Sequence, residues 1–84
     1  MFRLDPLLIE GILTVRLSGK LAGEDTRVLA EFMDREGLPG EIDISDLVFV
    51  DTKGAEILLR AKAEGASLKG GRPPITLLLE KHPI

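Results

Sequence analysis

The hydrophobic period changes back and forth along these 84 residues, and that alternation constrains the fold more than any other feature. Leu13, Val15 and Leu17 alternate with Thr14 and Arg16, the period of two that buries one face of a strand. From Glu24 to Glu36 the apolar residues Val28, Leu29, Phe32 and Met33 fall instead on one helical stripe, with acids in the first turn and Gly37 at its end. Period two returns at Ile42 and Ile44 in the short strand Glu41 to Ile44. Leu47 to Val50 carries the apolar run onward. A second helix is expected from Lys53 to Glu64, with its stripe on Ala55, Leu58 and Leu59, helped by Ile57 and Ala61, and Gly65 as its stop.

The flanks complete the pattern. Phe2 to Ile9 is extended, but Pro6 cannot donate to a ladder, so this is an edge strand or a strand with a break. Glu10-Gly11 turns it into a hairpin with the strand at Ile12 to Leu17. Ala66 to Lys69 can form a short strand. The tail Pro73 to Lys81 can be read as a buried strand or a helix. The proline start and the spacing of Ile75, Leu78 and Leu79 favour the helix. The order is ββαβαβα: an α/β fold in which helices pack on a small mixed sheet, in one domain spanning residues 1–84.

Composition narrows the function. The absence of cysteine removes disulfides, thiolate zinc sites and cysteine nucleophiles. The net charge of −3 argues against nucleic acid as the partner. Residues 1–52 carry eleven acids and five bases, while residues 53–84 carry three acids and six bases, an asymmetry that reads as two solvated faces of unlike sign or as a means to orient a charged partner. Met1 to Pro6 does not read as a signal peptide, and no apolar run reaches the ~20 residues of a membrane span. A cytoplasmic protein without membrane insertion is expected.

The single histidine, His82, lies in the tail, and no nucleophile–base pair stands out. GKLAG and LKGGRPP match no phosphate loop. Asp43, Asp46 and Asp51 can be read as metal ligands, but acids at strand ends more often cap turns. No enzyme activity, metal or cofactor is expected.

The stretch VFVDTKGA, Val48 to Ala55, is where the apolar run breaks and a helix begins. Asp51 or Thr52 can cap that helix, a contribution of about 1 kcal/mol. Gly54 lets the helix start approach neighbouring backbone. Lys53 opposes the macrodipole there by a few tenths of a kcal/mol and has no capping role. Strand-to-helix junctions at the carboxyl ends of strands are also where α/β sheets expose recognition groups.

The longer segment IDISDLVFVDTKGAEILL, Ile42 to Leu59, resembles the central signature of STAS domains, the family of bacterial anti-sigma factor antagonists and of the cytoplasmic domains of sulfate transporters. That signature is a strand ending in Asp-Leu, an apolar link, and Asp-Ser-Ser-Gly opening a helix. Asp43-Ile44, Phe49-Val50-Asp51 and Gly54 match it. LTVRLSGKL, Leu13 to Leu21, is similar to the family's second strand, and RPPITLLLE, Arg72 to Glu80, to the start of its third helix.

The resemblance implies a STAS-like fold and a regulatory protein–protein interaction module with its partner-binding, phosphosite-equivalent surface at Asp51, Thr52, Lys53 and Gly54. The implied partner is an anti-sigma-like kinase or another signalling protein. In phosphorylatable members the second serine takes the phosphate. Lys53 stands there, so the usual phosphoserine switch is expected to be missing, with Thr52 in the first serine's place. Ala22 replaces the acid often found after the second strand. The resemblance runs out before the last strand and helix of longer members, which implies a minimal form. The alternative implied function is an accessory subunit on the ATPase of a lipid-transporting ABC system, where a junction threonine lies in the interface. The exposed edge strand also leaves a homodimer open.

Overall fold

A computed structural model describes residues 1–71. The third helix expected at Pro73 to Lys81, and His82, lie outside the described residues. Six elements follow one another: β1 (Phe2–Ile9), β2 (Ile12–Leu21), α1 (Glu24–Glu36), β3 (Glu41–Val50), α2 (Thr52–Ala63) and β4 (Ser67–Lys69). The strands form one sheet in the order β1-β2-β3-β4. β1 and β2 are an antiparallel hairpin. β2 with β3, and β3 with β4, are parallel. Parallel neighbours joined through a helix cross over right-handedly in nearly all proteins, which sends both helices to the same face. α1 and α2 pack on each other and on the sheet, so the described residues form a two-layer sandwich whose other sheet face carries no helix among them.

The core lies between those layers. Val15, Leu17, Leu21, Leu29, Ile42, Leu47 and Leu58 are fully covered. Leu29 and Phe32 centre the α1 stripe, while Val28 at its margin is half-exposed. On α2 the buried set is Gly54, Ala55, Leu58, Leu59 and Ala61.

Strand lengths depart from the sequence expectation. β2 runs on to Leu21 through Gly19, which adopts φ 83. A Cβ on Gly19 would sit 1.7 Å from the carbonyl oxygen of Met1, so only glycine lets the two backbones meet there. β3 is one ten-residue strand rather than a short strand and a link. It holds together because it is irregular. Its register against β2 slips twice, between Asp43 and Asp46 and between Leu47 and Phe49. Each extra residue shifts the inward phase by one. The buried positions become Ile42, Ile44, Leu47 and Val50. Phe49 does not follow the rest of its apolar run into the core: the second slip turns it outward opposite Lys20, and it is 48% exposed.

Pro6 does not break β1; it stands opposite Val15 on an edge strand. Backbone polarity explains the tolerance. Gly40 and Asp51 donate to the carbonyls of Leu13 and Leu21, so the odd residues of β2 address β3. Lys20 donates to the carbonyl of Met1, so the even residues address β1. Val15 is odd, so Pro6 opposite it turns its backbone away from β2. The N–H that proline lacks would have pointed off the sheet.

Candidate functional site

Asp51, the last residue before α2, is the centre of the junction. Its backbone is extended at φ −90, ψ −175, and its Oδ1 accepts the N–H of Gly54 at 2.7 Å. Between the two residues the sequence offered, Asp51 is the cap and Thr52 is the first helical residue. The second carboxylate oxygen does something a cap does not require. Oδ2 accepts the N–H of Gly23 at 2.9 Å, across 28 residues of chain. Gly23 opens α1 with no side-chain cap of its own. The backbone N–H of Asp51 in turn donates to the carbonyl of Leu21 at 3.2 Å. One aspartate thus caps α2 and ties the β2–α1 turn to the β3–α2 turn.

These bonds set the charge state. The N–H of Gly23, then that of Gly54, hold the Asp51 carboxyl below the ordinary aspartate value, and the Lys53 charge adds to them. That gives Lys53 a part that capping logic did not supply. Gly54 is as constrained as its position suggested. A Cβ there would lie 2.5 Å from the carbonyl oxygen of Leu21, so α2 starts in direct backbone contact with the end of β2.

Of the four residues the sequence singled out, Gly54 is buried and Asp51 is partly buried and bonded internally. Thr52 and Lys53 are exposed. The free surface extends over residues the sequence reading did not assign to the site. Val48 is 52% exposed and Phe49 48%, and Lys20 opposite Phe49 is exposed. Exposed Val48 and Phe49 at the end of β3, with Lys20 opposite Phe49, thus precede exposed Thr52 and Lys53 at the start of α2. The step from two to three in the spacing Ile42, Ile44, Leu47, Val50 was the available signal that Phe49 leaves the core.

A second polar cluster sits on the helix-free face. Asp43 accepts the N–H of Ser45 at 2.9 Å and also its hydroxyl, at the first slip of β3. The carboxylate takes the N–H that the slipped ladder displaces. Arg16 on β2 lies 3.5 Å from the other oxygen. The bonds from Ser45, with Arg16 beside them, hold the Asp43 carboxyl below the ordinary value. Gly70 passes so close that a Cβ would sit 2.9 Å from that of Ser45. Asp43, Asp46 and Asp51 are not brought together, and no group of three possible ligands occurs among the described residues. No helix among them is long and apolar enough to cross a membrane.

No family model matches the chain, and no curated protein matches it in sequence. Among solved structures it is similar to that of the anti-sigma factor antagonist SpoIIAA in its unphosphorylated form, with a TM-score of 0.62 over 99% of this chain and 84% of that one, at 18% identity. The chain has the SpoIIAA-type, STAS-like fold: a mixed sheet with helices on one face in the order ββαβαβ over the described residues.

Proposed function

We propose that this protein is a non-enzymatic regulatory interaction module that binds a signalling protein, such as an anti-sigma-like kinase, through the rim of the β3–α2 junction. The observation that carries the reading is the likeness of the whole chain to an anti-sigma factor antagonist, combined with an exposed Thr52 and Lys53 at the start of α2. Asp51 and Gly54 shape the site from below, and Thr52, Lys53 and the adjoining Phe49 make the contacts. Aromatic anchors beside charged rims are the usual energetic centres of such interfaces.

Lys53 makes the surface constitutive. A phosphate at a helix start adds roughly −2 charge and works by changing partner affinity. A lysine in that place presents the opposite sign without modification. Lys53→Ser is expected to become a better kinase substrate than the parent, read as phosphate incorporation on the junction peptide. No gain would mean that the switch needs more than this side chain.

The test is affinity capture of the tagged protein from its own cells beside a Thr52→Tyr variant. Both should fold alike by circular dichroism. A kinase-like or other signalling protein recovered with the parent and lost with Thr52→Tyr is the expected result. Equal recovery with both would move the site elsewhere. Recovery of a transporter ATPase with unmodified Thr52 would favour the second reading, an accessory transporter subunit, which the exposed Thr52 also suits.

A further inference from the structure

The outer edge of β1 is uncovered among the described residues, and its geometry is specific enough to say what fits it. Because the odd residues of β2 address β3, the β1 residues opposite them, Phe2, Leu4, Pro6 and Leu8, direct their backbone groups off the sheet. Phe2, Leu4 and Leu8 offer an N–H and a carbonyl each, while Pro6 offers only a carbonyl. On the same edge Arg3 and Asp5 stand two residues apart on the helix-free face, paired with each other at 3.1 Å, with side chains 73% and 40% exposed. Beside the edge, on the helix side, a groove of about 350 Å³ runs between β1 and α1. Phe2, Leu4, Val28 and Phe32 floor it, and Glu31 and Arg35 stand on its rim.

We propose that β1 pairs with β1 of a second copy of this chain, antiparallel and centred on Leu4, so that the sheet continues across a two-fold axis. In this register the two Leu4 residues exchange both backbone bonds, and each Phe2 N–H donates to the other copy's Pro6 carbonyl. The donor that proline lacks leaves one Phe2 carbonyl per copy to water. Arg3 faces the second copy's Asp5, and Asp5 faces its Arg3, so both cross-strand pairs are of opposite sign.

The neighbouring registers fail on the same residues. Centring on Arg3 sets Arg3 against Arg3, centring on Asp5 sets Asp5 against Asp5, and centring on Pro6 leaves the middle of the ladder without a donor. Pro6 thereby acts as a filter. Edge prolines normally discourage strand addition, and here the proline still admits the Leu4-centred register. Leu4 and Pro6 of the second copy lie along the open side of the β1–α1 groove and cover its apolar floor. This contact makes no use of Thr52 or Lys53.

The experiment is sedimentation equilibrium of the full chain from about 1 to 200 µM, for the parent, Arg3→Glu, Asp5→Arg and the double exchange, with thermal unfolding of each as a check on folding. The expected result is a parent dimer whose dissociation constant rises about tenfold or more in each single variant, where two like-charged pairs replace two opposite ones. It should return toward the parent value in the double exchange, which restores both pairs. A parent that stays monomeric throughout would overturn the proposal. So would a dimer indifferent to the single exchanges, or a double exchange that does not recover.

Discussion

At the β3–α2 junction, Asp51 takes N–H groups from two turns, and Leu21 receives the N–H of Asp51. Along the outer edge of β1 the opposite holds, and Phe2, Leu4 and Leu8 turn their backbone groups outward. The junction looks like a site in the sequence because it is polar, yet its acid is spent on holding two turns together. The edge looks like ordinary strand, yet it leaves hydrogen-bonding capacity unanswered within the described residues. The residues with the strongest sequence signal serve the fold, and those free for a partner stand beside them. Thr52, Lys53 and Phe49 have that relation to Asp51.

The largest expected break in this contrast is Asp51→Ala. It removes a cap and leaves the N–H of Gly23 without its partner, so a loss of about 2–3 kcal/mol is expected in urea unfolding. Asp51→Asn should cost less, because one oxygen still accepts. The pH dependence has a defined sign. A carboxyl held below its ordinary value contributes stability that is complete above the unfolded value of about 3.9 and is lost as pH falls through the folded one. Asp51 and Asp43 both act this way. The acid-induced loss below about pH 4 should therefore be smaller in Asp51→Asn than in the parent.

Gly19→Ala probes the other region. The position is left-handed, and a Cβ would overlap the carbonyl of Met1. A cost of about 1–2 kcal/mol is expected from the backbone conformation alone. Hydrogen exchange should show it as faster exchange at Lys20, whose N–H bonds to Met1, with α2 unaffected.

The smallest effect on stability belongs to Phe49→Ser. A half-exposed side chain outside the core should cost about 1 kcal/mol or less, while binding of the captured partner falls. A loss comparable to emptying a core position, about 3–5 kcal/mol, would return Phe49 to the core.

The elements were legible where local chemistry decides them. The bounds of α1 agree with its stripe, its acidic start and its terminal glycine, and Pro6 announced an edge. α2 begins one residue before the expected start because Asp51, not Thr52, is the cap. What the sequence hid was non-local. Nothing near Asp51 in the chain marks Gly23 as its partner. The two slips of β3 depend on how β2 lies beside it, so the outward turn of Phe49 had only a change in apolar spacing to signal it. The same holds for Asp43, which a strand-end pattern marked as a turn acid and which serves instead inside a continuous strand.

One carboxylate serves two turns, and a pH titration of the backbone amides by NMR reads that directly. The amide resonances of Gly23 and Gly54 should move together, with one shared midpoint below the ordinary aspartate value, and both movements should vanish in Asp51→Asn. Separate midpoints, or a Gly23 amide that ignores the titration, would contradict the clamp and with it the division between a fold-holding acid and its free neighbours.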